Sequence, residues 1–91
     1  MKNKMKPRKV YHLTYDSEIF TRIGGWVIKL EGSDKILHKY GFKEDAIYYQ
    51  SRELRMKWKG KKELAQLIIH RKDGRFHSER TYGKDPIKSK G

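Results

Sequence analysis

Apolar and polar residues alternate along the first forty positions, and then the period changes. In VYHLTYD (10–16), Tyr11, Leu13 and Tyr15 share one side and Val10, His12 and Thr14 the other, the period of two of a half-buried strand. GGWVIKLEG (24–32) repeats the pattern, with Trp26, Ile28 and Leu30 on one face and Lys29 and Glu31 on the other. The turn residues GSD (32–34) lead into KILHKY (35–40), a third strand. Their connections are too short for crossovers, so the three are expected to pair as an antiparallel meander.

From Lys43 the spacing becomes helical. Ile47, Ser51, Leu54 and Trp58 fall at i, i+4, i+7 and i+11, one stripe of an amphipathic helix that ends near Gly60. Glu44 and Asp45 lie in its first turn and Lys57, Lys59, Lys61 and Lys62 at or beyond its last, each with the sign the helix dipole favours. ELAQLIIHRKDGRFHSERTYG (63–83) then reads as two strands around Asp73-Gly74, a strong turn signal. The expected fold is therefore α+β: an antiparallel sheet in the order β-β-β-α-β-β with one amphipathic helix packed on it. Trp26, Ile28, Leu30, Leu37, Ile47, Leu54, Trp58, Leu67, Ile69 and Phe76 are the expected core.

Composition changes this picture in two ways. The hydrophobic share is 35% and the charged share 37%, so the core of this 91-residue domain must be thin. Two Trp, six Tyr and three Phe bury much area each and keep folding feasible. The formal net charge is +12. Residues 1–9 contain five lysines and arginines and no acid, and are expected to be a disordered basic arm. Residues 84–91 form an expected tail beyond the 10–83 domain. Absent cysteine rules out disulfides and thiolate metal sites, and no apolar run suits a membrane span or signal peptide. The expectation is a cytoplasmic protein with no membrane contact.

The pieces GGWVIKLEGSDK, KEDAI, ELAQLIIHRKDGRF and YGKDP, in this order, resemble the domain of unknown function 2188, a family of short bacterial, archaeal and phage proteins. The resemblance rests on Gly25, Trp26, Val27, Lys29, Gly32, Lys43, Glu44, Ala46, Ile47, His70, Asp73, Gly74, Arg75, Tyr82, Gly83, Asp85 and Pro86, and covers roughly residues 12–86. It implies a fold more than a function, since it brings no assigned activity. The sequence departs from that family's pattern at Phe42, where members usually carry a Ser or Thr helix cap. The link DSEIFTRIG (16–24) is also long. Either the first hairpin extends through Glu18, Phe20 and Arg22, which the alternation favours, or Ile19, Phe20 and Ile23 present an apolar loop to a partner.

Candidate chemistry is sparse. His70 and His77 face each other if Asp73-Gly74 is a two-residue turn and separate if Gly74 closes a bulged three-residue turn. Only Glu79 stands near enough to help them ligate a metal, and His12 and His38 belong to other strands. No catalytic, cofactor or metal site is expected, and no enzyme: there is no Gly-x-Ser-x-Gly elbow and no phosphate-binding glycine loop. What stands out is a second helical stripe, Tyr48, Arg52, Arg55 and Lys59, leading into Lys61 and Lys62. It suits phosphates and an unpaired base, with a solvated flank as the bland alternative. The hairpin tip adds Arg71, Lys72, Arg75 and Arg80. The leading expectation is an accessory protein that binds DNA or RNA through phosphates with little sequence preference. The alternative is a protein-interaction module, a phage- or stress-related modulator of a host protein or a homodimer, using Ile19, Phe20, Ile23, Tyr49 and Met56.

Overall fold

The structure, a computed structural model, describes residues 8–83. Seven elements follow one another: β1 (Lys9–Asp16), α1 (Ile19–Arg22), β2 (Gly25–Leu30), β3 (Ile36–Tyr40), α2 (Lys43–Lys61), β4 (Ala65–His70) and β5 (Phe76–Tyr82). The strands make one sheet in the order β3-β2-β1-β4-β5. The meander of β1, β2 and β3 and the β4–β5 hairpin are antiparallel, as expected. The sheet as a whole is mixed, however, because β4 lies parallel to β1, with His12 beside Ile68 and Leu13 beside Ile69. The cause is α2. Nineteen residues rise about 28 Å, enough to carry the chain from the end of β3 back to the end where β1 began. β4 must then run in the direction of β1.

The helix covers one face of the sheet. Tyr11, Leu13, Ile28, Ala65, Leu67 and Ile69 meet Ala46 and Leu54 there, with Trp26, Tyr40, Ile47 and Tyr82 around them. Tyr11 and Leu13 join the core because β1 is the central strand. Leu30 (36% exposed), Leu37 (39%) and Phe76 (58%) do not belong to it. Leu37 is the extra residue of a bulge, since Ile28 pairs with His38 and Lys29 with Ile36. Phe76 pairs with His70 at the hairpin end, away from the helix. The buried line of α2 is Ala46, Gln50, Ser51 and Leu54, with Ile47 and Trp58 only half-buried, so the helix is rotated slightly from its expected stripe.

Both helix ends lack their usual residues. Phe42 stands extended at the N-cap with no side-chain cap bond, as its side chain dictates. At the other end α2 runs past Gly60 to Lys61, and Lys62 takes the left-handed cap conformation at φ 58°. Gly83 is required where it stands: its φ is +87°, and a Cβ would lie 2.7 Å from the Trp58 ring.

The 16–24 link is not an extended hairpin. It folds into the single turn α1, whose Phe20, Thr21 and Arg22 all have positive φ (55°, 56° and 66°). Each such residue costs about 1–2 kcal/mol, and local alternation carries no sign of it. The Phe20 ring lies against Gly25, which places α1 over the sheet face that α2 leaves open. Ile19 and Val27 are the buried apolar residues outside the helix-side core.

Two residues of the expected 1–9 arm are held to the fold: Lys9 begins β1 and Arg8 is anchored. Its guanidinium donates to the carbonyls of Ala65, Tyr82 and Gly83, each at 3.2 Å. The rest of the arm and the 84–91 tail, including Asp85 and Pro86, lie outside the described residues. No helix among the described residues is long and apolar enough to cross a membrane.

Candidate nucleic-acid interface

Burying Ala46, Gln50, Ser51 and Leu54 turns the neighbouring stripe of α2 outward. Tyr48, Arg52, Arg55 and Lys59 are all exposed, Tyr48 by 59%. Among the described residues none of these three cations has a carboxylate within 4 Å. Glu53, on the same helix, is engaged by Lys57 at 3.2 Å and lies 3.7 Å from His38. Burial pulls the Lys57 pKa down, but its hydrogen bond to Glu53 and the charges of Tyr11, Glu53 and Glu63 together outweigh that and raise it above its ordinary 10.5.

Arg80 joins this row instead of the hairpin tip. Its register partner on β4 is Leu67, a core residue, so its side chain leaves the sheet on the helix side. There Glu44, Ile47, Tyr48, Ser51, Arg55 and Arg80 line a cavity of about 410 Å³ between α2 and β5. Ser51 is 6% exposed, and its hydroxyl oxygen is buried with no hydrogen-bond partner among the described residues.

The hairpin closes as a three-residue loop. The amide of Gly74 donates to the Arg71 carbonyl at 2.9 Å and that of Arg71 to Arg75 at 2.7 Å. In the loop only Gly74 has positive φ, +94°, so a type I′ turn, which needs it twice, is ruled out. His77 is therefore the odd residue of a bulge: His70 pairs with Phe76, Ile69 with Ser78, and the two histidines part. His77 accepts from the Lys43 ammonium at 3.1 Å. Lys43 also lies 4.8 Å over the Trp26 ring, and burial, followed by the nearby Arg71, lowers its pKa. The hairpin cations Arg71, Lys72 and Arg75 are exposed but partly engaged. Lys72 sits 4.6 Å over Tyr15 and Arg75 lies 3.8 Å from Asp73. Lys61 is exposed at the end of α2, and Lys62 stands 5.2 Å over Trp58.

A different histidine pair forms on the open face. His12 Nδ1 lies 2.8 Å from His70 Nε2, and the rings stack with centroids 5.1 Å apart. The Gly74 carbonyl, 3.0 Å from His70 Nδ1, can only accept, so that nitrogen carries the proton. His70 Nε2 then accepts from His12 Nδ1–H, and His12 Nε2 lies 3.9 Å from Glu31. Sequence reasoning set His12 apart because only the parallel β1–β4 pairing joins them. With that pairing known, two even-numbered positions on adjacent strands would have pointed to it. Among the described residues no three His, Asp or Glu side chains converge as a metal site needs.

The proposed partner residues do not share a surface. Ile19 is buried (8% exposed), while Phe20 (43%) belongs to α1 and Ile23 (79%) is the residue that caps it. Tyr49 (51%) and Met56 (58%) are on the helix, lining a groove of about 460 Å³ with Arg52, Glu53, Lys57 and Lys61. Tyr49 stacks on Tyr40, centroids 6.2 Å apart and nearly parallel. Burial, then Glu53 and Tyr49, raises the Tyr40 pKa above 10.0.

These features define a small α+β protein with a single mixed sheet, one long helix and a basic helix flank. Residues 18–82 match the family described as an uncharacterized protein conserved in bacteria (DUF2188), and the chain belongs to that family. No curated protein matches the chain, and no solved structure does. Membership establishes kinship and leaves the chemistry to the residues.

Proposed function

We propose that this protein is a nucleic-acid-binding accessory protein with little sequence preference, holding DNA or RNA by its phosphates in the reducing cytoplasm. One observation carries the reading: Arg52, Arg55 and Lys59 stand in an exposed row with no carboxylate within 4 Å among the described residues. Cations left unneutralised in this way attract polyanions and release condensed counterions on binding. The role is binding, with no reaction assigned. Fluorescence anisotropy with labelled duplex and single-stranded DNA and RNA, over about 50–300 mM salt, tests it. Affinity should fall steeply with salt, and Arg52→Ala/Arg55→Ala should flatten the logarithmic slope by about 1.4–1.8. Absence of binding at the lowest salt would end the proposal.

A second reading, a protein-interaction module, draws on the groove beside Tyr49 and Met56. Sedimentation of the protein over a concentration series, alongside Met56→Glu, separates self-association there from polyanion binding. A monomer at every concentration would leave that groove without a second copy as its occupant.

A further inference from the structure

We propose that the cavity between α2 and β5 takes one nucleotide unit of an unpaired strand, its phosphate held by Arg55 and Arg80 and its base stacked on Tyr48. The inference deepens the nucleic-acid reading and rests on it. Four observations at one place support it. First, two guanidinium groups reach the cavity from separate elements, α2 and β5, and neither has a carboxylate within 4 Å among the described residues. Arginine presents a planar fork of donors that matches a phosphate in two-point contact, which a scattered pair of lysines does not. Second, Tyr48 lines the same cavity and is 59% exposed, so one ring face is available to a base. Third, Ser51 is the most deeply buried residue of the lining, and its hydroxyl oxygen has no partner among the described residues. That oxygen is closed off from the cavity, so Ser51 shapes its floor and leaves the polar contacts to Arg55, Arg80 and Glu44. Fourth, the volume of about 410 Å³ falls within the usual range for small-ligand pockets.

Glu44 also lines the cavity and is exposed. A carboxylate there works against a bare phosphate but accepts from the exocyclic amine or ring N–H of a base. The lining therefore suits a whole nucleotide, with its negative and hydrogen-donating ends, better than an inorganic anion. Stacking on Tyr48 requires a base free of its own stack, so the strand must be unpaired, since a duplex hides the base faces.

The test is anisotropy at fixed moderate salt with labelled oligo-dT, oligo-rU and a DNA duplex of equal length. Four proteins are compared: the wild type, Tyr48→Ala, Arg80→Ala and a charge-matched control, Lys35→Ala, from the loop before β3 at the far edge of the sheet. The single strands should bind about tenfold or more tightly than the duplex. Tyr48→Ala should lose about tenfold on the single strands and little on the duplex. Arg80→Ala should lose several times more than Lys35→Ala, although both remove one positive charge. Thermal melts keep the comparison honest, because Tyr48, Arg80 and Lys35 are all exposed and should melt as the wild type does. A preference for dT over rU, or the reverse, distinguishes the two strand chemistries within the same site. Equal binding of duplex and single strands, with Tyr48→Ala and Arg80→Ala no worse than Lys35→Ala, would overturn the pocket while leaving the general reading in place. No binding of any oligonucleotide would overturn both.

Discussion

Gln50 offers a sharp test of how this thin core is held. Its side chain is 1% exposed at the centre of the buried line of α2, and its Oε1 is a buried acceptor with no hydrogen-bond partner among the described residues. An unsatisfied buried acceptor costs about 1–3 kcal/mol. Gln50→Met keeps the unbranched shape and nearly the same helix propensity while removing that acceptor, so the core should tighten. Setting the relief against whatever the amide nitrogen still gains, the net change should be a stabilisation of about 1.5 kcal/mol, where core substitutions ordinarily cost about 1 kcal/mol. For a domain of this size that is about 6–12 °C in Tm. Gln50→Ala removes the same acceptor but opens a cavity, so it should fall well below Gln50→Met. Urea unfolding followed through half-buried Trp26 and Trp58, with calorimetry for Tm, measures all three proteins. A Gln50→Met protein less stable than the wild type would show that the oxygen has a partner in solution, such as a buried water, and would refute the reasoning.

Three further outcomes are expected. Phe42→Ser should stabilise the fold by about 1 kcal/mol, because Phe42 is 70% exposed, extended and without a cap bond; chemical denaturation checks it, and an unchanged midpoint would contradict the cap assignment. Lys62→Gly should add about 0.5–1 kcal/mol by relieving a left-handed residue at φ 58°, offset in part by the greater unfolded freedom of glycine and the lost contact with Trp58; the same assay reads it. Stability should fall at alkaline pH. Tyr40 and Lys57 have folded pKa values raised above 10.0 and 10.5, so their contribution is complete below those values and disappears as pH rises through the folded ones. Lys43 is lowered and works weakly in the opposite sense. Melts from pH 8 to about 11.5 should show Tm dropping above about 10, and less steeply in Glu53→Gln; a flat profile would contradict the assignment.

What could be read from the chain alone follows the range of the interactions involved. The order of elements and the extent of α2 were legible because the switch from period two to period 3.6 at Lys43 is local. The missing cap at Phe42 was legible for the same reason. The partner of β4 was not, because no residue in LIIH indicates whether it will lie against β3 or β1, which run the same way; the return of the chain through α2 fixes only its direction. Three misjudged core positions have local causes: Leu30 stands at the end of its strand, Leu37 is the odd residue beside Ile36, and Phe76 lies beyond the bulge at His77. The turn at Phe20, Thr21 and Arg22 was hidden by an alternation that imitates a strand while the backbone is left-handed. In the candidate site, the helix row was legible from spacing alone. Arg80 was assigned to the wrong group, since its side depends on the β4–β5 register, and the cavity it shares with Tyr48 and Ser51 needs two elements to exist.

The distribution of arginines says more than the net charge. Of seven, Arg8 is bound to three carbonyls, Arg22 lies 3.8 Å from Glu18 and Arg75 lies 3.8 Å from Asp73. The other four, Arg52, Arg55, Arg71 and Arg80, have no carboxylate within 4 Å among the described residues. All four lie on α2 or beside it: Arg80 across the cavity from Arg55, and Arg71 close enough to Lys43 to lower its pKa. Lysines without carboxylates, by contrast, are found on both sides of the protein, Lys29 and Lys39 among them on the open face. A surface selected only for solubility has no reason to sort its two cations in this way. Solubility depends on charge, whereas a two-point grip on phosphate depends on the guanidinium. If the proposed polyanion binding holds, the helix side is where this asymmetry puts the contact, independently of the lysine-rich ends that dominate the formal +12.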